Sequence, residues 1–193
     1  MKKAMALLLV LFLAGCSGKN AAMERCLKLR TTLLAASACT FEADITADYG
    51  DKLRSFTLRC EADADGAVTF TVEKPQSIAG ITGTVDGSDG ALTFDETALY
   101  IPMLTDGQLT PVAAPWLLLK TLRAGCIAAV GQEGDGLLIS IDDSYDDDAL
   151  RLDIRLDGNN IPTRAEVTYR ERKILSLDVK NFRIESKKCR LDA

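Results

Sequence analysis

The residues of this 193-residue chain that could carry covalent or metal chemistry are six cysteines and 28 aspartates and glutamates, with no histidine. Without an imidazole neither a Ser-His-Asp triad nor a Cys-His pair can be assembled, and His-ligated metal sites are excluded. The cysteines, Cys16, Cys26, Cys39, Cys60, Cys126 and Cys189, never fall in the Cys-x-x-Cys spacing of a zinc site, and a thiol nucleophile would lack its activating base. Asp142-Asp143-Ser144-Tyr145-Asp146-Asp147-Asp148 packs five carboxylates into seven residues, oxygen donors of the kind that suit calcium. The run lacks the glycine and the closing glutamate of an EF-hand loop and lies between two strand-like segments, so it reads as a solvated hairpin loop. Carboxylates elsewhere are too frequent to single out the paired acid and base of a hydrolase, which would need separated pKa values in one cleft. Ile78-Ala79-Gly80-Ile81-Thr82-Gly83-Thr84-Val85 has neither the spacing nor the Gly-Lys-Ser/Thr ending of a phosphate loop. Its glycines suit a sheet bend or a close helix approach. The net charge of −5 is opposite to that of a nucleic-acid-binding surface. The expectation is a protein that binds rather than catalyses, with no metal and no cofactor.

Chemistry of another kind stands at the start of the chain. Lys2 and Lys3 precede the apolar run Ala4–Ala14, which is too short for a hydrocarbon core that needs roughly twenty residues and reads as a secretory signal. The run ends in Leu13-Ala14-Gly15-Cys16, which resembles a bacterial lipobox. That resemblance implies a signal peptide over residues 1–15, cleavage before Cys16, and lipid on the Cys16 sulfur and amino group; the plainer alternative is a secretory leader with an incidental cysteine. Each buried methylene contributes about 0.8 kcal/mol, so such a residue anchors the protein to the extracytoplasmic face of a cell membrane, or on the outer-membrane or periplasmic side in a two-membrane host. Residues 16–20 are expected as a lipidated, flexible tether, and 21–193 as one domain. Export also permits disulfides. With Cys16 assigned to lipid, the pairing of the other five stays open. Cys60 and Cys126 are the favoured pair, whereas a helix running to Ser37 would hold Cys26 and Cys39 some 15 Å apart, beyond disulfide reach.

The elements that position these residues follow from hydrophobic spacing. From Ala21 to about Ser37, Met23, Cys26, Leu27, Leu33 and Leu34 recur at three- and four-residue steps, which predicts a helix with Arg30 interrupting its stripe. Thereafter the period is two. Phe41, Ala43, Ile45, Ala47 and Tyr49 alternate with polar residues, as do Phe56, Leu58 and Cys60; Val68, Phe70 and Val72; Leu92 and Phe94; Leu137, Ile139 and Ile141; Leu150, Leu152, Ile154 and Leu156; Ala165, Val167 and Tyr169; and Leu175, Leu177 and Val179. Phe182 and Ile184 break the phase, which predicts a bulge near Lys180-Asn181. Pro115 to Arg123 reads as a short helix, apolar nearly all round, with Gly125 just past its end. The fold class is therefore mainly β with α: an antiparallel sheet with one wet face, strongly curved around an N-terminal helix and a short mid-chain helix.

The lipobox, the N-terminal helix, the one-faced sheet and the Pro115-Trp116 helix, together with Phe70-Thr71-Val72-Glu73-Lys74-Pro75, Ile78-Ala79-Gly80-Ile81 and Leu92-Thr93-Phe94-Asp95, resemble the LolA/LolB-type lipoprotein carrier fold, in particular the LolA-like lipoproteins of Clostridia-type bacteria. The resemblance covers most of residues 21–185. It implies an unclosed half-barrel whose concave face holds acyl chains of a lipid or lipoprotein. The inward side chains that would line such a cavity are Phe56, Leu58, Phe70, Val72, Trp116, Leu119, Leu152, Ile154, Val167 and Tyr169. A fully packed core without a void is the alternative, and would make the protein a structural or regulatory interaction module of the envelope. Trp116 could instead cap the cavity mouth with its indole N–H in water.

Overall fold

The structure is a computed structural model. It describes residues 17–87, 89–94, 97–102, 104–105 and 108–186, with the backbone alone at 17–20 and from 89 to 108. The signal segment, Cys16 and Cys189 lie outside the described residues.

A helix, α1 (Ser17–Ala35), leads directly into the first strand, β1 (Ala36–Asp48). From there β2 (Leu53–Asp63), β3 (Val68–Lys74), β4 (Thr82–Asp86), β5 (Asp89–Phe94) and β6 (Thr97–Pro102) meander outward in antiparallel pairs. A small hairpin, β7 (Leu104–Thr105) with β8 (Gln108–Leu109), and a short 3-10 turn at Pro111–Ala113 precede the second helix, α2 (Ala114–Ala124). The chain re-enters the sheet at its far edge with β9 (Cys126–Glu133). It then returns through β10 (Gly136–Asp142), β11 (Arg151–Leu156) and β12 (Pro162–Tyr169) to β13 (Arg172–Ser186), which pairs with β1. The sheet has eleven strands in the order β6-β5-β4-β3-β2-β1-β13-β12-β11-β10-β9 and does not close. Among the described residues no helix is long and apolar enough to cross a membrane.

Alternation explains the register. Along one row, Phe56, Ile45, Leu177, Ala165, Ile154, Ile139 and Val130 face one another in turn across seven strands. A one-residue slip anywhere would turn such a strand's apolar set to water. Of the register shifts in the sheet, the one between Thr40 and Glu42 of β1 falls where the sequence places a bulge. Thr40 faces Arg183 and Glu42 faces Lys180, so Phe41 stands opposite both Asn181 and Phe182. Asn181 absorbs the extra residue at φ 54°. The bulge returns Phe182 to the inner face, where its ring centroid lies 5.4 Å from that of Phe41.

Both helices lie on that inner face, and α2 packs against α1, β10 and β13. In α1 the buried line is Ala22, Cys26, Leu29, Leu33 and, at the start of β1, Ala36, whereas Met23, Leu27 and Leu34 are exposed. Of the stripe expected from spacing, Cys26 and Leu33 are buried, while Met23, Leu27 and Leu34 give way to Ala22 and Leu29. Ser17 to Asn20 form the first turn of α1, so the flexible tether expected over 16–20 is not a tether over those four residues. Arg25 fastens α1 to two hairpin turns, donating from Nε to Asn160 Oδ1 at 2.8 Å and from a terminal nitrogen to the Asp135 carbonyl at 3.2 Å.

Arg30 does more than lay its stem along a stripe. Its Nε donates to the Leu122 carbonyl at 2.9 Å, and a terminal nitrogen donates to those of Gly125 at 2.8 Å and Thr121 at 3.4 Å. It thereby satisfies carbonyls at the C-terminal end of α2, where a helix has acceptors to spare and partial negative charge. Gly125 closes that end without a positive φ. A Cβ there would come within 2.5 Å of Ile141 Cγ2 and 2.8 Å of the Thr121 carbonyl, so this glycine is needed for close packing. Nearly every residue of α2 from Ala114 to Leu122 is buried, Lys120 excepted. Even the hydroxyl of buried Thr121 is satisfied, donating to the Leu117 carbonyl at 2.7 Å.

Candidate functional site

The ten side chains expected to share the concave face all belong to one apolar cluster. Leu58, Phe70, Val72, Trp116, Leu119, Leu152, Ile154 and Val167 are buried, none above 7% exposed, and Phe56 and Tyr169 are half-buried against them. They come from β2 and β3 on one arm of the sheet, β11 and β12 on the other, and α2 beneath both. They pack on one another and on the helices.

Hollows among the described residues include the following. One of about 420 Å3 lies over Thr40, Glu42, Arg59, Thr71 and Arg183, and another of about 580 Å3 over Asp44, Thr46, Ser55, Thr57 and Lys74. Both are on the outer, polar face. The third, about 320 Å3, lies against α2, where its lining includes Trp116 of the apolar cluster. Its one wall is Trp116, Lys120, Arg123 and Ala124 of α2; the other is the β2–β3 turn at Asp65-Gly66 and the β4–β5 turn at Asp86-Gly87. Its volume sits at the lower end of the range of small-molecule sites, roughly 300–1,000 Å3.

The side chains of this cleft are held by few partners. Lys120 Nζ lies 5.2 Å from the Trp116 ring centroid, a cation over an aromatic face, and 3.6 Å from Asp143 Oδ2. Arg123 donates from one terminal nitrogen to the Asp63 carbonyl at 3.2 Å. Its Nε is buried without a hydrogen-bond partner in the protein, the one side-chain atom so placed among the described residues. Sequence reasoning found Trp116 but missed Lys120, Arg123, Asp65 and Asp86, because Asp65 and Asp86 are separated from the helix by the turn-and-strand path of the sheet. The only available signal was the pair of cations, Lys120 and Arg123, on an otherwise apolar helix.

Other expected sites resolve plainly. The Asp142–Asp148 run joins β10 to β11. Asp142 takes two hydrogen bonds from Arg151 at 2.8 and 3.0 Å, and Asp143 Oδ1 accepts from the Leu150 amide at 2.8 Å. Cys26, Cys39, Cys60 and Cys126 are free thiols, so the bridge expected between Cys60 and Cys126 is not formed. The physical reason is topological: Cys60 lies on β2, and five strands separate β2 from β9, where Cys126 begins.

Burial pushes the Cys60 thiol far above its ordinary range. Cys26 and Cys39 are also raised by burial, against a smaller opposing pull from Arg30 and Arg123 respectively. Asp44 is lowered, first by its hydrogen bond from Lys180 at 2.6 Å and then by that from Thr57 at 2.7 Å. A thiol held neutral in the fold ionises more readily once unfolded, so its contribution is intact below about pH 9 and is lost as pH rises beyond. A carboxylate held ionised contributes above about pH 4 and is lost as pH falls below it. With no histidine between, the thermal midpoint is expected to be flat from about pH 5 to 8 and to fall on both sides. A midpoint that climbs or drops within the plateau would contradict this account. Cys60 should also resist a thiol reagent until the protein unfolds.

No protein-family model matches the chain, and no curated protein matches its sequence. Among solved structures it is similar to a LolA superfamily protein of Nitrosomonas europaea, at 9% identity and a TM-score of 0.47 over 86% of this chain and 94% of that one. It is similar also to a putative outer membrane lipoprotein-sorting protein domain of Vibrio parahaemolyticus, at 8% identity and 0.48 over 88% and 94%. A third is the Mycobacterium tuberculosis lipoprotein LppX, at 11% identity and 0.39 over 84% and 93%. The LolA-type likeness read from the sequence reappears among these structures.

Proposed function

We propose that the protein is an envelope lipoprotein, anchored through lipid on Cys16, that binds an acyl chain between the concave sheet face and α2. It works by binding rather than by catalysis. The observation that carries this reading is the cleft whose α2 wall includes Trp116, a member of the buried apolar cluster. A hollow of about 320 Å3 suits a polar head and the first part of a chain. The remainder would pass under Trp116 and Leu119 as α2 moves away from the sheet. Apolar ligands need apolar walls with few polar fixings, and the ten clustered side chains supply such walls. The anchor rests on Lys2, Lys3, the Ala4–Ala14 run and Leu13-Ala14-Gly15-Cys16.

A second reading has an observation of its own. The concave side chains are already packed nearly free of solvent, as in an ordinary core, and a protein-interaction module would need nothing more. Native mass spectrometry of the full-length protein from membranes separates the two. The first reading expects a non-covalent acyl adduct in addition to the covalent lipid mass on Cys16, and saturable displacement of a fluorescent fatty acid. No adduct and no displacement would leave the second reading in its place. A mature mass without added lipid would remove the anchor alone.

A further inference from the structure

We propose that the Trp116 cleft takes a zwitterionic phospholipid headgroup, with its phosphate between Lys120 and Arg123 and its ammonium against Asp65 and Asp86. This deepens the acyl-binding reading above and rests on it. Two cations stand three residues apart on one helix, and two carboxylates stand on turns of the opposite wall, all around a single hollow. Neither Asp65 nor Asp86 forms an ion pair with a described residue, and neither cation pairs across the cleft with them. Lys120 has Asp143 at 3.6 Å behind it, whereas Arg123, Asp65 and Asp86 have no ion-pair partner among the described residues, so charge of each sign stands open on the two walls. That pattern disfavours a simple anion, which Asp65 and Asp86 would repel, and a simple cation, which Lys120 and Arg123 would repel. It fits a ligand carrying one charge of each sign.

The donors are those that recognise phosphate. Arg123 has a buried Nε with no hydrogen-bond partner; leaving such a donor unmet is costly, and a phosphate oxygen would meet it in the forked geometry that arginine favours. Lys120, lying over the indole with a long contact to Asp143, can swing to a second phosphate oxygen as a flexible point charge. Trp116 lies where a lipid changes from polar head to apolar chain, the position that a residue with an apolar body and a polar N–H suits.

Trp116 is the only tryptophan in the chain and reports on the cleft directly. The full-length protein in a neutral detergent is titrated with three single-chain palmitoyl lipids: lysophosphatidylethanolamine, lysophosphatidylglycerol and monopalmitoylglycerol. The ethanolamine lipid is expected to bind at least tenfold more tightly than the uncharged one and more tightly than the glycerol phosphate. Arg123→Gln and the exposed Asp86→Asn should each bring that tenfold ratio to within about twofold, with folding of both checked by urea unfolding. Equal affinities for all three lipids, or a preference that survives in both variants, would overturn the headgroup assignment and leave acyl binding standing. No response to any lipid would overturn both.

Discussion

Replacing Gly136 with alanine is expected to cost about 3 kcal/mol or more, among the largest effects of any single methyl group in this molecule. Gly136 opens β10 with an ordinary backbone conformation. A Cβ at this position would sit 2.0 Å from the Leu156 carbonyl oxygen and 3.1 Å from its carbon. These are backbone atoms of the neighbouring strand, so no rotamer can relieve the overlap, and β10 and β11 must separate where Leu137 pairs with Leu156. Overpacking typically costs 1–3 kcal/mol, and here the strain falls on the ladder itself. Gly134, two residues earlier, is the internal control. It has φ +62° and nothing within 4 Å of its would-be Cβ, so Gly134→Ala should cost only the left-handed backbone penalty of about 1 kcal/mol. Urea unfolding of the two variants ranks them, and a Gly136→Ala midpoint at or above that of Gly134→Ala would refute the steric account.

Arg30→Ala is expected to lose about 3 kcal/mol and to loosen α2 specifically. Three carbonyls near the end of that helix depend on one guanidinium, and hydrogen bonds to charged groups contribute roughly 1.5–3 kcal/mol each when intact. The sum is not additive, because Gly125 N–H still donates to the Thr121 carbonyl at 2.8 Å. Arg30→Lys should recover only part of the loss, since an ammonium lacks the planar fork that reaches several acceptors at once. With α2 loosened, the concave face becomes accessible. Binding of an apolar dye and a red shift of Trp116 emission should therefore accompany the lowered urea midpoint. A variant with wild-type dye binding and emission would show that Arg30 is not what holds α2 down.

Much of this fold is legible in the sequence because alternation is a direct record of burial. Ile45, Ile154 and Val167 face inward for the same reason that Asp44, Asp153 and Glu166 do not, and even the bulge at Asn181 shows as a phase change. Three features were not legible. In α1, Met23, Leu27 and Leu34 satisfy helical spacing as well as the buried line does, and only the sheet decides which line it accepts. The strand β9 carries Ala128, Ala129 and Gly131, whose small side chains leave no alternation to read. The cleft is assembled from turns and a helix far apart in sequence, so Asp65, Asp86 and Arg123 could not be associated before the topology was known. Trp116 and Leu119, on an evidently buried helix, could be.

The pairing of β1 with β13 sets the order in which the molecule can come into being. These two strands form the middle of the sheet, and Ser37 Oγ donates to the Glu185 carbonyl 148 positions away. Each half can meander locally, but the central seam waits for the last strand, and such long-range closure is slow. For a chain that passes through a membrane N-terminus first, as proposed here, β1 emerges early and keeps an unsatisfied edge until β13 follows. Translocation can thus run to completion on an unfolded thread, with cooperative folding triggered at the far side by the arrival of the C-terminal segment.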